Sequence, residues 1–194
     1  RYIFTDANST ASTFSLAPQV YSTNVSATAL SAVGITLGSS SFTVSPPNAG
    51  SIPSSSTSSN QTEAIANNDY FSFTLTPTIG HSLTLTNLEL SARYYVVNTL
   101  ATEASVFVRS SLDDFASDVG SNSFSFLNLY SAMSIPLGAS FTQIPSNITF
   151  RVYVFDDTTD ATGRLSVVPR RFQPRASMRS VTTPPASDEI SRSI

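Results

Sequence analysis

Asp113, Asp114 and Asp118 fall in one short stretch of the chain, and Asp156, Asp157 and Asp160 in another. Calcium takes roughly six to eight oxygen ligands, which Asp-, Asn- and Thr-rich turns can supply, so both stretches are candidate calcium loops. Aspartate is equally common in turns for a local reason, because its side chain hydrogen-bonds the backbone beside it. A glycosidase would need two of these acids at a set separation across a sugar, and nothing in the sequence sets one. His81 is the sole histidine, in the turn Pro77-Thr78-Ile79-Gly80-His81. A Ser-His-Asp triad would need that residue as its base, no nucleophile elbow is present, and a zinc site with several histidines is excluded. With no cysteine, thiolate chemistry and disulfides are excluded as well. The expectation is a protein that is not an enzyme and has no cofactor, calcium being the single candidate.

A second kind of chemistry is modification. Asn8-Ser9-Thr10, Asn24-Val25-Ser26, Asn60-Gln61-Thr62 and Asn147-Ile148-Thr149 match the N-linked acceptor pattern, although a Ser/Thr/Asn-rich chain produces such matches by chance. Ser54, Ser55, Ser56 and Thr57 open a hydroxyl run that is a candidate O-linked patch. A third is sugar binding on an aromatic platform. Tryptophan is absent, which leaves Tyr94, Tyr95 and Tyr153 as platform candidates, some of which the alternation assigns to the core.

These residues must be held by strands. In Asp69–Thr76, Phe71, Phe73 and Leu75 alternate with Ser and Thr, the pattern of a half-buried antiparallel strand. After the turn, Leu83 and Leu85 point inward. The parity then slips, because Leu88, Leu90 and Ala92 continue on even numbers, which predicts a bulge or a change of sheet across Thr86-Asn87. Further strands are predicted at Tyr2–Thr5, Asn24–Ser31, Ser41–Ser45, Ser105–Ser110, Ser123–Leu129, Asn147–Phe155 and Arg164–Val168. Ile148–Phe155 is apolar in part on both faces and reads as central. One helical turn is predicted in Ser111–Val119, capped by Ser111; no longer helical period is evident. The predicted core is Phe71, Phe73, Leu75, Leu83, Leu85, Leu88, Leu90, Val106, Val108, Phe150, Val152 and Val154. The fold class is all-β, an antiparallel β-sandwich of jelly-roll type over residues 1–168. Residues 39–61 read as a Ser/Pro-rich loop, and 169–194 as a basic tail or assembly arm.

Composition agrees. The 194 residues are 40% hydrophobic and only 12% charged, about half the usual charged share, so hydroxyls and amides solvate the surface. That balance suits a cysteine-free exported protein from a bacterial type of secretion route, placed outside the cell or on its surface. No run approaches the ~18 apolar residues of a membrane span. All ten basic residues are arginine. Through residue 168 five arginines face eleven carboxylates, a balance of −6; beyond it five face two, a balance of +3. Opposite charges on body and tail favour contact between copies, and the acidic body repels nucleic acid.

Several runs together resemble the exported proteins sorted by the exosortase (PEP-CTERM) system: Phe71–Pro77, Gly80–Leu90, Val108-Arg109-Ser110-Ser111-Leu112-Asp113-Asp114-Phe115-Ala116-Ser117-Asp118, Ile148–Val154 and Gly163–Val167. Tyr2–Asp6 and Val25–Leu30 fit the same pattern. The resemblance spans most of residues 1–167, and Arg109–Ser117 is its most specific part. It implies a secreted, surface- or matrix-associated β-sandwich, rich in Ser and Thr, with no established catalytic site. The Pro-Glu-Pro signal, apolar span and basic cluster that usually close such proteins are not found in 168–194.

The functional expectation is a structural protein that self-assembles into a fibre, sheath or layer, a homo-oligomer or polymer joined by strand addition through a terminal arm. The alternative is a carbohydrate-binding surface module with polysaccharide as partner.

Overall fold

The alternation around Phe71 produces the strand on which one sheet is organised. The computed structural model describes residues 15–16, 23–37, 52–55, 58–96, 103–125, 131–157 and 163–168. In chain order the elements are β1 (Ser15–Leu16), β2 (Val25–Ala27), β3 (Leu30–Val33), β4 (Thr36–Leu37), β5 (Ile52–Ser55), α1 (Gln61–Asn67), β6 (Tyr70–Pro77) and β7 (Asn87–Val96). They continue with β8 (Glu103–Ser110), β9 (Asp118–Ser125), β10 (Ser131–Pro136), β11 (Ile148–Asp156) and β12 (Gly163–Val168). Two single 3-10 turns, Ser111–Asp113 and Ala139–Phe141, follow β8 and β10.

Sheet one has the order β1-β3-β6-β11-β8-β9, with β2 also paired to β6; sheet two has the order β10-β7-β12-β5-β4. Every pairing described is antiparallel. From β6 to β12 the chain changes sheet at each connection except the β8–β9 hairpin, so the fold is an all-β antiparallel sandwich of jelly-roll type. The parity slip marks the first crossing. Leu83 and Leu85 are buried in a short segment bridged through Leu83 to Ile144, and Leu88 then opens β7 in the other sheet.

The predicted strand Asn24–Ser31 is β2 and β3 separated by a bulge. Ala27 faces Leu75 but Ser31 faces Ser72, so β2–β3 carries one extra residue. There the Thr28 N–H donates to the Thr74 carbonyl at 2.9 Å, and the Thr74 N–H donates to the Thr28 hydroxyl at 2.9 Å. A side-chain oxygen thus replaces the main-chain acceptor that the bulge displaces.

Phe71, Phe73, Leu75, Leu83, Leu85, Leu88, Val106, Val108, Phe150, Val152 and Val154 are buried as expected, and Leu90 lies on β7 opposite Met133. Met133, Ile135, Phe141, Ile144 and Ile148 complete the interior. Phe73 and Phe150 are cross-strand partners with rings stacked at 5.3 Å, and Phe141 stacks on Phe150 at 6.0 Å. Such pairs add about 0.5–1.5 kcal/mol to the burial of each ring. Gly120 of β9 lies close under the other sheet: a Cβ there would stand 2.7 Å from Ile135 Cγ2 of β10.

β11 is central, between β6 and β8, and its second apolar face has its own cover. Tyr70, Phe107 and Tyr153 form a cluster on the outer side of sheet one with Ala64 of α1, packed by Ile65 and Phe155. Phe107 stacks on Tyr153 at 4.7 Å, and Tyr70 meets Tyr153 edge-on at 5.1 Å. Helix α1 and strand β5 correct the reading of 39–61 as a continuous loop. The Asn60 side chain caps the helix by accepting the Glu63 N–H at 2.9 Å, and Glu63 Oε2 accepts from the Ser59 N–H and hydroxyl. Asn68, at φ 59°, ends it. Of the other strands expected, β9 begins earlier than Ser123, and β10 was not foreseen. Tyr2–Thr5, Ser41–Ser45 and residues 169–194 lie outside the described residues.

Candidate functional site

The β8–β9 loop is shaped by backbone that few residues adopt. Asp114 and Phe115 both have positive φ, 57° and 61°, each at a cost of about 1–2 kcal/mol for a residue with a Cβ. Several bonds hold the loop there. The Phe115 N–H donates to the Ser110 carbonyl at 2.9 Å, the Ser117 N–H to Asp113 Oδ2 at 2.9 Å, and Arg109 Nη1 to the Phe115 carbonyl at 3.0 Å. The Phe115 ring lies 3.8 Å from the Arg151 guanidinium, which also sits 4.8 Å from the Tyr70 ring. The single helical turn expected in this loop is present at Ser111–Asp113, but Ser110 is its N-cap residue, and the Ser111 hydroxyl accepts the Thr149 N–H at 2.9 Å.

A second bulge orients Asp118. Val108 faces Gly120 while Arg109 faces Asp118, leaving Val119 without a partner in the ladder. Arg109 Nε and Asp118 Oδ1 thereby form an ion pair at 2.7 Å, and Gln61 Nε2 of α1 donates to Asp118 Oδ2 at 2.7 Å. Both carboxylate oxygens are thus fixed, one by a strand and one by the helix.

Between this loop and the segment after β10 lies an open groove of about 340 Å³. Its polar lining is Ser110, Asp113, Ser117, Asp118 and Ser140; its apolar lining is Leu112, Val119, Pro136 and Phe141, with Gly138 between. Leu112 is exposed, whereas Phe141 is buried and contributes little accessible surface. Asp113 is exposed. Desolvation raises its pKa, but hydrogen bonds from the Ser117 hydroxyl and N–H and from neighbouring backbone outweigh it and hold the carboxyl below its usual value.

The structure therefore brings Asp113 and Asp118 to one groove, with Asp114 exposed at the turn beside it. It does not join them to the second acidic stretch. Asp156 is buried opposite Ala104, at the start of β8, and the Asp157 N–H donates to the Glu103 carbonyl, whereas the groove lies beyond the other end of β8. Asp160 lies outside the described residues. Among the described residues no three His, Cys, Asp or Glu side chains gather where they could hold a metal ion. His81 stays in its turn, Nδ1 3.4 Å from the Ile79 carbonyl.

Of the three platform candidates, Tyr153 is one that belongs to the core; Tyr94 and Tyr95 lie on β7 opposite Leu165 and Arg164. Of the glycan acceptors, Asn147 is exposed just before β11, Asn24 sits in the turn before β2, and Asn60 serves as the helix cap. Ser54 and Ser55 belong to β5 rather than to a loop, while Asn8, Ser56 and Thr57 lie outside the described residues. Gln61, Arg109, Leu112 and Phe141 are the site residues that sequence reasoning missed. Gln61 is 57 positions from its partner, a separation that no local motif encodes.

No family model matches the chain, and no curated protein matches it significantly. Among solved structures, it is similar to TmCBM61 in complex with β-1,4-galactotriose, at 10% identity and TM-score 0.34 over 72% of this chain and 83% of that one. It is also similar to the family 11 carbohydrate-binding module from Clostridium thermocellum in complex with a β-1,3-1,4-mixed-linked tetrasaccharide, at 11% identity and TM-score 0.33 over 84% and 95%. A third is the enzymatically active domain of bacteriophage CBA120 tailspike protein 4, at 13% identity and TM-score 0.35, where 76% of this chain covers 19% of that one. Likeness at this level says nothing of what this chain binds.

Proposed function

We propose that this protein is a non-catalytic carbohydrate-binding module acting outside the cell, with the groove between the β8–β9 loop and the segment after β10 as its saccharide site. The observation that carries the reading is the mixed lining of that groove. A sugar offers hydroxyls along its rim and C–H groups on its faces, so a site for it needs fixed polar groups beside apolar surface. Asp113, Asp118, Ser117 and Ser140 supply acceptors and hydroxyls, and Leu112 with Val119, Pro136 and Phe141 supplies the apolar part. The strained loop is already held in place, which lowers the ordering cost of binding.

Binding fits these groups better than hydrolysis does. A glycosidase acid must keep its proton near neutral pH, with a raised pKa. The Asp113 carboxyl is held below its usual value by hydrogen bonds that outweigh desolvation, the opposite of what such an acid needs, and both Asp118 oxygens are engaged, by Arg109 and Gln61. The fibre or sheath reading rests on the terminal arms, which lie outside the described residues. Among the described residues no helix is long and apolar enough to cross a membrane.

Glycan arrays and affinity electrophoresis test the reading. Retention by at least one polysaccharide is expected, weakened about tenfold by Asp113→Ala or Leu112→Ala, with far-UV circular dichroism unchanged. No retention on any glycan, or retention indifferent to both substitutions, would refute it.

A further inference from the structure

We infer that the groove selects uncharged saccharides over acidic ones; the inference rests on the carbohydrate reading and specifies its ligand class. Among the described residues the groove's ionisable lining groups are two carboxylates, Asp113 and Asp118, with no arginine or histidine; the chain has no lysine at all.

Among the described residues, the two arginines beside the β8–β9 loop are directed elsewhere. Arg109 gives Nε to Asp118 Oδ1 and Nη1 to the Phe115 carbonyl, and its side chain is only 15% exposed. The Arg151 guanidinium lies against the Phe115 and Tyr70 rings, with Nη1 3.5 Å from the Tyr153 hydroxyl. Pairing with Arg109 balances Asp118, whereas Asp113, exposed at the groove, faces no arginine among the described residues. A neutral sugar meets it as a hydroxyl donor, and hydrogen bonds to a charged acceptor are the stronger kind. A uronate or sulfate brings a second negative charge within a few ångströms, with no cation lining the groove to receive it.

The effect is sizeable even in a wet site. Unit charges a few ångströms apart at a protein surface repel enough to weaken binding about tenfold or more at low salt. Screening shortens that reach as salt rises.

The test uses an array in which each neutral glycan is paired with its C6-oxidised or sulfated counterpart of the same linkage, probed with the whole protein at about 10 mM and about 500 mM salt. Neutral members are expected to bind about tenfold or more tightly at low salt, with the gap narrowing at high salt. Asp113→Asn keeps the hydrogen-bonding shape and removes the charge, so it should narrow the gap at low salt too. Acidic members binding as well as or better than neutral ones would overturn the inference while leaving the carbohydrate reading intact, as would a gap unmoved by both salt and Asp113→Asn. Failure of every glycan to bind would overturn the carbohydrate reading itself.

Discussion

Replacing Gly120 by alanine adds one methyl group where β9 of one sheet lies against Ile135 of the other. Two effects oppose each other. Alanine restricts the unfolded chain and so stabilises the fold by about 0.4–1 kcal/mol where the native backbone suits it, and Gly120 is not among the positive-φ glycines. Against this, the new Cβ would stand 2.7 Å from Ile135 Cγ2, 3.2 Å from Cγ1 and 3.4 Å from Cδ1. The first distance is shorter than real contacts allow, and Ile135 is itself only 4% exposed, so it has little room to retreat. Overpacking of this kind costs about 1–3 kcal/mol, and the net expectation is a loss of about 1–2 kcal/mol. Urea denaturation followed by tyrosine fluorescence measures it as a lower midpoint with the slope unchanged. Ile135→Ala removes all three clashing atoms at its own cost of about 2–5 kcal/mol, and the double variant should lose less than the sum of the two. A Gly120→Ala protein as stable as the parent, or strictly additive losses, would show that the sheets are not this close.

Asn60→Ala removes the helix cap and should cost about 1 kcal/mol, read as a lower melting temperature together with a change in the near-ultraviolet signal of Tyr70 and Tyr153; an unchanged melt would mean the cap bond contributes nothing. Gln61→Ala frees one oxygen of Asp118 while Arg109 keeps the other, so glycan affinity should fall about three- to tenfold with little loss of stability, a few tenths of a kcal/mol for an exposed bond; equal losses of both would make Gln61 a purely structural residue. Glu63 has its pKa lowered chiefly by the Ser59 N–H, then by the Ser59 hydroxyl, and Asp113 is lowered too. A depressed folded pKa gives stability that is complete above the unfolded value of about 4 and is lost as pH falls through the lower folded value. Thermal stability should therefore decline on the acid side of about pH 4, less so in Glu63→Gln; identical acid limbs in the two proteins would contradict that assignment.

The parts of the fold legible in the sequence are those with period two. Phe71, Phe73 and Leu75 announce β6, the odd-to-even slip from Leu85 to Leu88 announces the change of sheet, and the two-faced run Ile148–Phe155 announces the central strand. Helix α1 escaped because seven residues are too few for a helical period to emerge; its trace is the Asn60–Glu63 capping spacing inside a serine-rich run. Pro53 disguised β5. Asp113 and Asp118 could be singled out by residue type, but what each does could not. Their roles depend on a bulge at Val119 and on a glutamine distant in sequence, and neither leaves a periodic mark. Parity alone could not say which of the candidate platform tyrosines are core: Tyr153 is buried on the outer side of its sheet because a helix covers that side.

The shortness of α1 also bears on the order in which the chain folds. An isolated helix of two turns is unstable in water because its nucleation is never recovered by propagation, so α1 has to form on a surface that already exists. That surface is Tyr70, Phe107 and Tyr153, which come together only when β6, β8 and β11 are paired, with contacts as distant as Leu75 to Ile148. Closing such long loops is the slow step for β proteins. The helix then condenses after the rate-limiting barrier, and its cap influences how fast the native state is lost rather than how fast it is reached. Asn60→Ala should accordingly speed unfolding and leave the refolding rate near that of the parent, whereas slower refolding would place α1 in the nucleus.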